Sequence, residues 1–262
     1  MKGTNQFLKL FKWELVNVAR NRWVFALAVL VLVLAETFIR MAGDFGKALT
    51  SLTSVTIVLV PLAAALFSNF YWYSSERATE LLLTQPLRRG ALFWARFLAI
   101  VLALGASFAI GTSLPFIIHG DPSPGWLVLA AVGAFLCVVF TAIGSFFAVV
   151  VTDRMKGVGL VLGLWLYLVI VHDGLILLAL LGCADYPMDV PGALLGSLNP
   201  IGLSRLALLV QQDAALLLGH TGALMARLLT GTTGWLIGGL LALAWMAAPA
   251  ALGLRRFLRR DF

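Results

Sequence analysis

Charged side chains are scarce in this 262-residue chain: Asp, Glu, Lys and Arg make up 12% of it. A soluble globular domain carries about a quarter, so a water-facing fold is excluded from the start. Cysteine is nearly absent. Cys137 falls within an apolar run and Cys183 just beyond one, which excludes a disulfide framework. The phosphate-cradling motif Gly-x-x-x-x-Gly-Lys-Ser/Thr is missing. Gly46-Lys47-Ala48 lacks both its spacing and its hydroxyl, so any ATP must bind elsewhere. No His-Glu-x-x-His, Gly-x-Ser-x-Gly or Cys-x-x-Cys occurs, which leaves enzyme chemistry little support. A cleavable signal is not expected either, because the first apolar run is of full bilayer length and the basic stretch before it is too long.

What the chain does have is apolar sequence: 61% hydrophobic residues and a mean hydropathy of +0.98. The expected fold is an all-α integral membrane protein forming a single transmembrane domain over 1–262. Runs at about 23–41, 52–73, 97–118, 126–151, 158–181 and 232–254 give six spans. Ahead of them, within 5–22, Phe7, Leu8, Phe11, Leu15 and Val18 share one helical stripe, while Lys9, Lys12 and Arg20 face largely away. That pattern predicts an interfacial helix in the headgroup layer. Glu36 and Arg40 stand at i, i+4 in the first span, where they form a structural ion pair. Gly159/Gly163 and Gly234/Gly238 have a small-xxx-small spacing, a weak signal for close helix contact.

The segment 182–230 does not span. Its 203–218 stretch either lies along the outer surface or dips partway in, and Arg205, Gln211, Gln212 and Asp213 argue against a seventh span. The net charge of +7 is no nucleic-acid signal, because the positive residues flank apolar runs. With the N-terminus inside, 15 of the 19 Lys and Arg fall on inner segments, which puts both termini in the cytoplasm.

Between the second and third runs lies a polar island, 74–89. Ser75 is an N-cap candidate. Glu76 and Glu80 suit the positive end of a helix, Pro86 closes it, and Arg88 and Arg89 lie past its end. On composition alone this is a short solvated helix joining two spans. The order Glu-Arg-x-Thr-x-Glu-Leu-Leu-Leu-Thr-x-Pro-x-x-Arg, however, resembles the coupling-helix segment of type-2 ABC exporter permeases, with Ala78-Thr79 in place of the usual Gly-Thr. The resemblance implies a cytoplasmic coupling helix that docks on a separate ATPase. Ser75, Glu76, Arg77, Thr79, Glu80, Leu81, Leu82, Leu83, Pro86 and Arg88 would carry the coupling, and ATP and Mg would be bound by the partner, with no cofactor in this chain.

His172 and Asp173 are the ionisable pair deepest in an apolar run. They either line a translocation path or relay a proton, or else they hydrogen-bond to a neighbouring helix and hold the bundle together. Sequence neighbours point about 100° apart on a helix, which makes them poor joint ligands. Cys183, Met188 and His220 add soft donors, but their spacing matches no metal motif, so no metal site is expected.

Further matches narrow the resemblance. Val-Pro-Leu, Leu-Trp-Leu-Tyr around the His-Asp-Gly, Asp-Tyr-Pro, Leu-Asn-Pro-Ile-Gly-Leu-Ser-Arg and Gly-His-Thr-Gly-Ala are similar to the membrane subunits of nitrous-oxide-reductase maturation exporters, the NosY-like or copper-processing permeases. That likeness implies an inner-membrane homodimer with two ATPase subunits inside and a periplasmic partner outside. It also implies export of a sulfur- or copper-related species. Three rival readings stand beside it: a type-2 permease for lipid, peptide or drug cargo, an intramembrane enzyme using His172 and Asp173, and a stand-alone membrane anchor.

Overall fold

The computed structural model describes residues 2–85, 87–120, 124–182, 189–211 and 232–260, and among these every element is a helix. An N-terminal helix α1 (Lys2–Ala19) precedes α2 (Arg22–Ala42) and α3 (Phe45–Ser74). The short α4 (Glu76–Leu83) leads to α5 (Arg89–Ile118) and α6 (Gly125–Val150). A fifth long helix comprises α7 (Arg154–Leu166), a π turn (Tyr167–Val171) and α8 (His172–Gly182). Then come α9 (Asp189–Ser197), α10 (Pro200–Gln211) and α11 (Thr232–Arg259). Six of these helices are long and apolar enough to cross a bilayer: α2, α3, α5, α6, α7 with α8, and α11. The chain is an all-α integral membrane protein.

Two spans start earlier than hydropathy places them. Gly43 adopts φ 65°, the left-handed conformation that ends α2, and Asp44 caps α3 by accepting from the Lys47 amide at 3.3 Å. The polar 45–51 stretch is therefore helix, its hydroxyls returned to the backbone (Thr50 to the Gly46 carbonyl, Ser51 to Lys47). Likewise α5 begins at Arg89 rather than near 97, which carries Arg96 inside the bundle. At the other end, α11 takes the basic tail into its last turns.

The core is formed by α3, α5 and α6, with α2 laid against α5, whereas α7, α8 and α11 are largely exposed along their length. Glycine sets two of the closest approaches. A methyl group at Gly144 would overlap the Ala65 carbonyl, and one at Gly111 would press on the Ala28 carbonyl and Val31. The α3–α6 contact is then pinned by polar bonds: Asn69 Nδ2 donates to the Gly144 carbonyl at 3.1 Å, and Trp72 Nε1 donates to Ser145 Oγ at 2.8 Å. By contrast, Gly159 and Gly163 face open space, and Gly238 meets Leu203 at 3.8 Å.

Helix α1 packs Phe11, Leu15 and Val18 of its apolar stripe on the protein, while Leu8 of that stripe is exposed. Val18 and Glu14 are fully buried, and Trp13 and Val16 are exposed. Helices α9 and α10 dip into the bundle. Their junction residue Asn199 donates to the Leu168 carbonyl in the π turn at 2.5 Å, and Trp245 Nε1 donates to the Leu198 carbonyl at 2.9 Å. Leu168 lies about 21 Å along its span at 1.5 Å per residue, near mid-depth. The expected stretch 203–218 is described as far as Gln211. Pro86, Cys183, Met188, Gln212, Asp213 and His220 lie outside the described residues.

Candidate functional site

The chain passes from α3 into α4 through Ser75 alone. With φ −96° and ψ 10°, Ser75 is not an extended N-cap, and its hydroxyl bonds none of the α4 amides. Instead Ser75 Oγ donates to the Tyr71 carbonyl at 2.7 Å and finishes α3. That corrects the expected capping role. A one-residue corner leaves no room for an extended residue, so the hydroxyl serves the carbonyls behind it.

The inward side of α4 is fastened by a buried polar chain. Thr79, 2% exposed, donates its hydroxyl to the Ser75 carbonyl at 2.8 Å and accepts from Arg96 Nη1 at 2.7 Å. Arg96 is 1% exposed; its Nε and Nη2 both lie 3.0 Å from Glu14 Oε1. The other carboxylate oxygen, Glu14 Oε2, accepts from the Tyr71 hydroxyl at 2.8 Å. The guanidinium also sits 4.9 Å from the centroid of the Trp72 ring. One arginine thus joins α1, α3, α4 and α5. A planar fork with several donors is the group suited to this, since each buried charge must be both paired and hydrogen-bonded.

The remaining α4 residues divide by side. Glu76 Oε1 receives Arg260 Nη2 at 2.5 Å. Leu82 and Leu83 pack partly against the core. Arg77, Glu80, Leu81 and Thr84 face outward, as does Arg88 beyond the helix, and Leu81 is 71% exposed. Positions 77, 81 and 84 recur at i, i+4, i+7, so the exposed side is a continuous stripe along the helix.

The other predicted residues lie apart. Arg40 Nε is 2.6 Å from Glu36 Oε1, and His119 Nε2 approaches the same oxygen at 3.7 Å, linking α2 to α5. Asp173 is held by Arg205 of α10 at 2.5 Å. His172 Nδ1 lies 3.9 Å from Asp173 Oδ1, beyond hydrogen-bond reach, and has no partner among the described residues. The Tyr167 ring meets the His172 ring edge-on at 6.3 Å. Among the described residues no three His, Cys, Asp or Glu come together as metal ligands. Asp173 is thus tied to a neighbouring helix, whereas His172 Nδ1 makes no such bond among the described residues.

Sequence reasoning missed Glu14, Tyr71 and Arg96 as a unit. A signal was available: Glu14 interrupts the apolar stripe of α1 between Phe11 and Val18, and Arg96 interrupts that of α5 between Phe93 and Ile100. A single acid in one stripe and a single base in another, close to the same bilayer face, are natural partners.

No family model matches the chain. Over 270 aligned residues it is 32% identical to a Pseudomonas aeruginosa protein, with 94% of this chain and 96% of the relative covered. A Stutzerimonas stutzeri relative is 30% identical over 225 residues, covering 77% of this chain and 80% of the relative. Both are named probable ABC transporter permease protein NosY. The chain belongs to the NosY family of ABC transporter permeases. As a NosY-family permease it is a membrane-spanning subunit of an ABC transporter.

Proposed function

We propose that α4 is the coupling helix of a NosY-family exporter and that the exporter serves maturation of nitrous oxide reductase. A separate ATPase, present in two copies and holding ATP and Mg, grips α4 from the cytoplasm. Its closure is passed through Arg96 to the spans of a permease dimer. The observation that carries this reading is the division of α4 into two sides: Leu81 stands 71% exposed, while Thr79 on the far side is bonded to Arg96, which is in turn paired with Glu14. A helix free outside and fastened inside can receive a push and transmit it. The excess of Lys and Arg on the face bearing α4 supports a cytoplasmic position for both termini and an inner-membrane location.

The cargo is a sulfur- or copper-related species handed to a periplasmic partner. The motifs that resemble those of nitrous-oxide-reductase maturation permeases support that assignment. An intramembrane enzyme using His172 and Asp173 is disfavoured by the engagement of Asp173 with Arg205.

Chromosomal deletion of the chain is expected to leave nitrous oxide reductase without its full complement of metal clusters, read from its visible and EPR spectra. The wild-type gene restores the clusters and Leu81→Asp does not. Normal clusters in the deletion strain would refute the maturation role while leaving the coupling role to be judged by ATPase binding.

A further inference from the structure

Helix α11 is exposed along most of its length, and among its described residues the buried ones are Ala250, Gly253 and Phe257, all near its end. Phe257, 1% exposed, packs edge-on against Trp72 at 5.5 Å and lies 5.7 Å from the Phe93 ring. Gly253 admits the Phe93 ring as well, since a Cβ there would come within 3.3 Å of it. The last turn is also gripped by charge. Arg89 Nη1, at the start of α5, donates to the Arg260 carbonyl at 2.9 Å and approaches the Leu258 carbonyl at 3.4 Å. A guanidinium at a helix C-terminus meets the carbonyls that have no partner within the helix, at the negative end of its dipole. Arg260 in turn reaches Glu76, in the first turn of α4, at 2.5 Å.

We infer that the basic end of α11 is a second strut on α4, with Arg260 as a positioning residue that makes span six follow the ATPase-docking helix. The inference rests on the coupling role proposed for α4. The buried Arg96 chain ties α4 to α1, α3 and α5 but contains no residue of α11. Glu76 and Arg260 supply that missing connection from the other side of α4. They join it where α11 is best buried, so displacement of α4 is delivered to the firmly packed end of the span. The pair is partly exposed, at 38% for Glu76 and 21% for Arg260, which suits a contact that transmits motion rather than one that holds the fold.

The test uses the full permease–ATPase complex in nanodiscs, with an environment-sensitive fluorophore on Leu236→Cys, toward the far end of α11, in a Cys183→Ser background. Vanadate trapping after ATP addition is expected to shift the emission of the otherwise wild-type complex. Arg260→Glu should keep the ATPase bound and melt within a few degrees of the parent, yet lose at least half of the shift. Glu76→Arg combined with Arg260→Glu should restore it. A full shift in Arg260→Glu with the ATPase still bound overturns the inference, as does the absence of any shift in the parent. A purely structural pair would lower the melting temperature of Arg260→Glu and leave the shift intact. Failure of the coupling role looks different: Leu81→Asp would then leave ATPase co-purification unchanged.

Discussion

Arg96→Met is expected to lower the stability of the permease by about 3–5 kcal/mol, the cost of leaving a buried charge without its partner. Glu14 is 1% exposed and has both carboxylate oxygens committed to this cluster. Without the guanidinium, Glu14 is left in an apolar setting with no cationic partner. Thr79 loses a donor at the same time. For a chain of this length the loss corresponds to a fall in melting temperature on the order of 10 °C. The informative comparison is Glu14→Leu with Arg96→Met, which removes both charges and fills the site with carbon. That double variant is expected to return to within about 1–2 kcal/mol of wild type, because apolar replacement of a buried pair is often neutral or better. It should nevertheless couple poorly, since the link from α1 and α5 to Thr79 is gone. Thermal melts of the four proteins in one detergent complete the double-mutant cycle. Wild-type stability for Arg96→Met, or a double variant as weak as the single, would contradict the described cluster.

The second large effect is expected on assembly rather than on folding. Leu81→Asp should weaken ATPase binding by roughly 30-fold or more, as loss of an interface hot spot worth at least about 2 kcal/mol does. Its melting temperature should not move, because Leu81 is 71% exposed on the outward stripe. Leu82→Asp is the contrasting control. Leu82 packs against the core, so a carboxylate there must be partly buried, and the permease itself should be destabilised. Titration of the purified ATPase onto nanodisc-held permease, alongside a melt of each variant, separates the two outcomes. Equal effects of both substitutions on binding and on melting would mean that α4 has no distinct docking side.

The position of α4 was legible in the sequence because charge is so rare in this chain, but its extent was not: the helix runs Glu76–Leu83, shorter than the expected 74–89. A polar island between two apolar runs breaks the hydropathy pattern and marks where one span ends and the next begins. The six spans were legible for the same reason. What hydropathy could not place was polar sequence that continues a helix. Asp44 and Gly43 make a tight corner with caps on both sides, so α3 starts at Phe45 despite Lys47, Thr50 and Ser51. Arg96 lies just ahead of the apolar run expected from about 97, and a scan of apolar runs cannot see that Glu14, 82 residues away, neutralises it. Part of the apolar stripe of α1 (Phe11, Leu15 and Val18) packs on the protein while Leu8 is exposed, since periodicity identifies a face and not what covers it. The π turn before His172 had no signature at all. Its Leu168 carbonyl is taken up by Asn199 from a distant segment, a contact that only the tertiary fold creates.

The most direct measurement is the side from which α4 can be reached. Leu81→Cys, in a Cys183→Ser background with Cys137 fully buried, should react with a membrane-impermeant maleimide in inside-out vesicles and not in intact spheroplasts. Added ATPase should protect it. Labelling from the periplasmic side, or labelling from the cytoplasmic side that the bound ATPase leaves unchanged, would show that α4 is not the helix the ATPase grips.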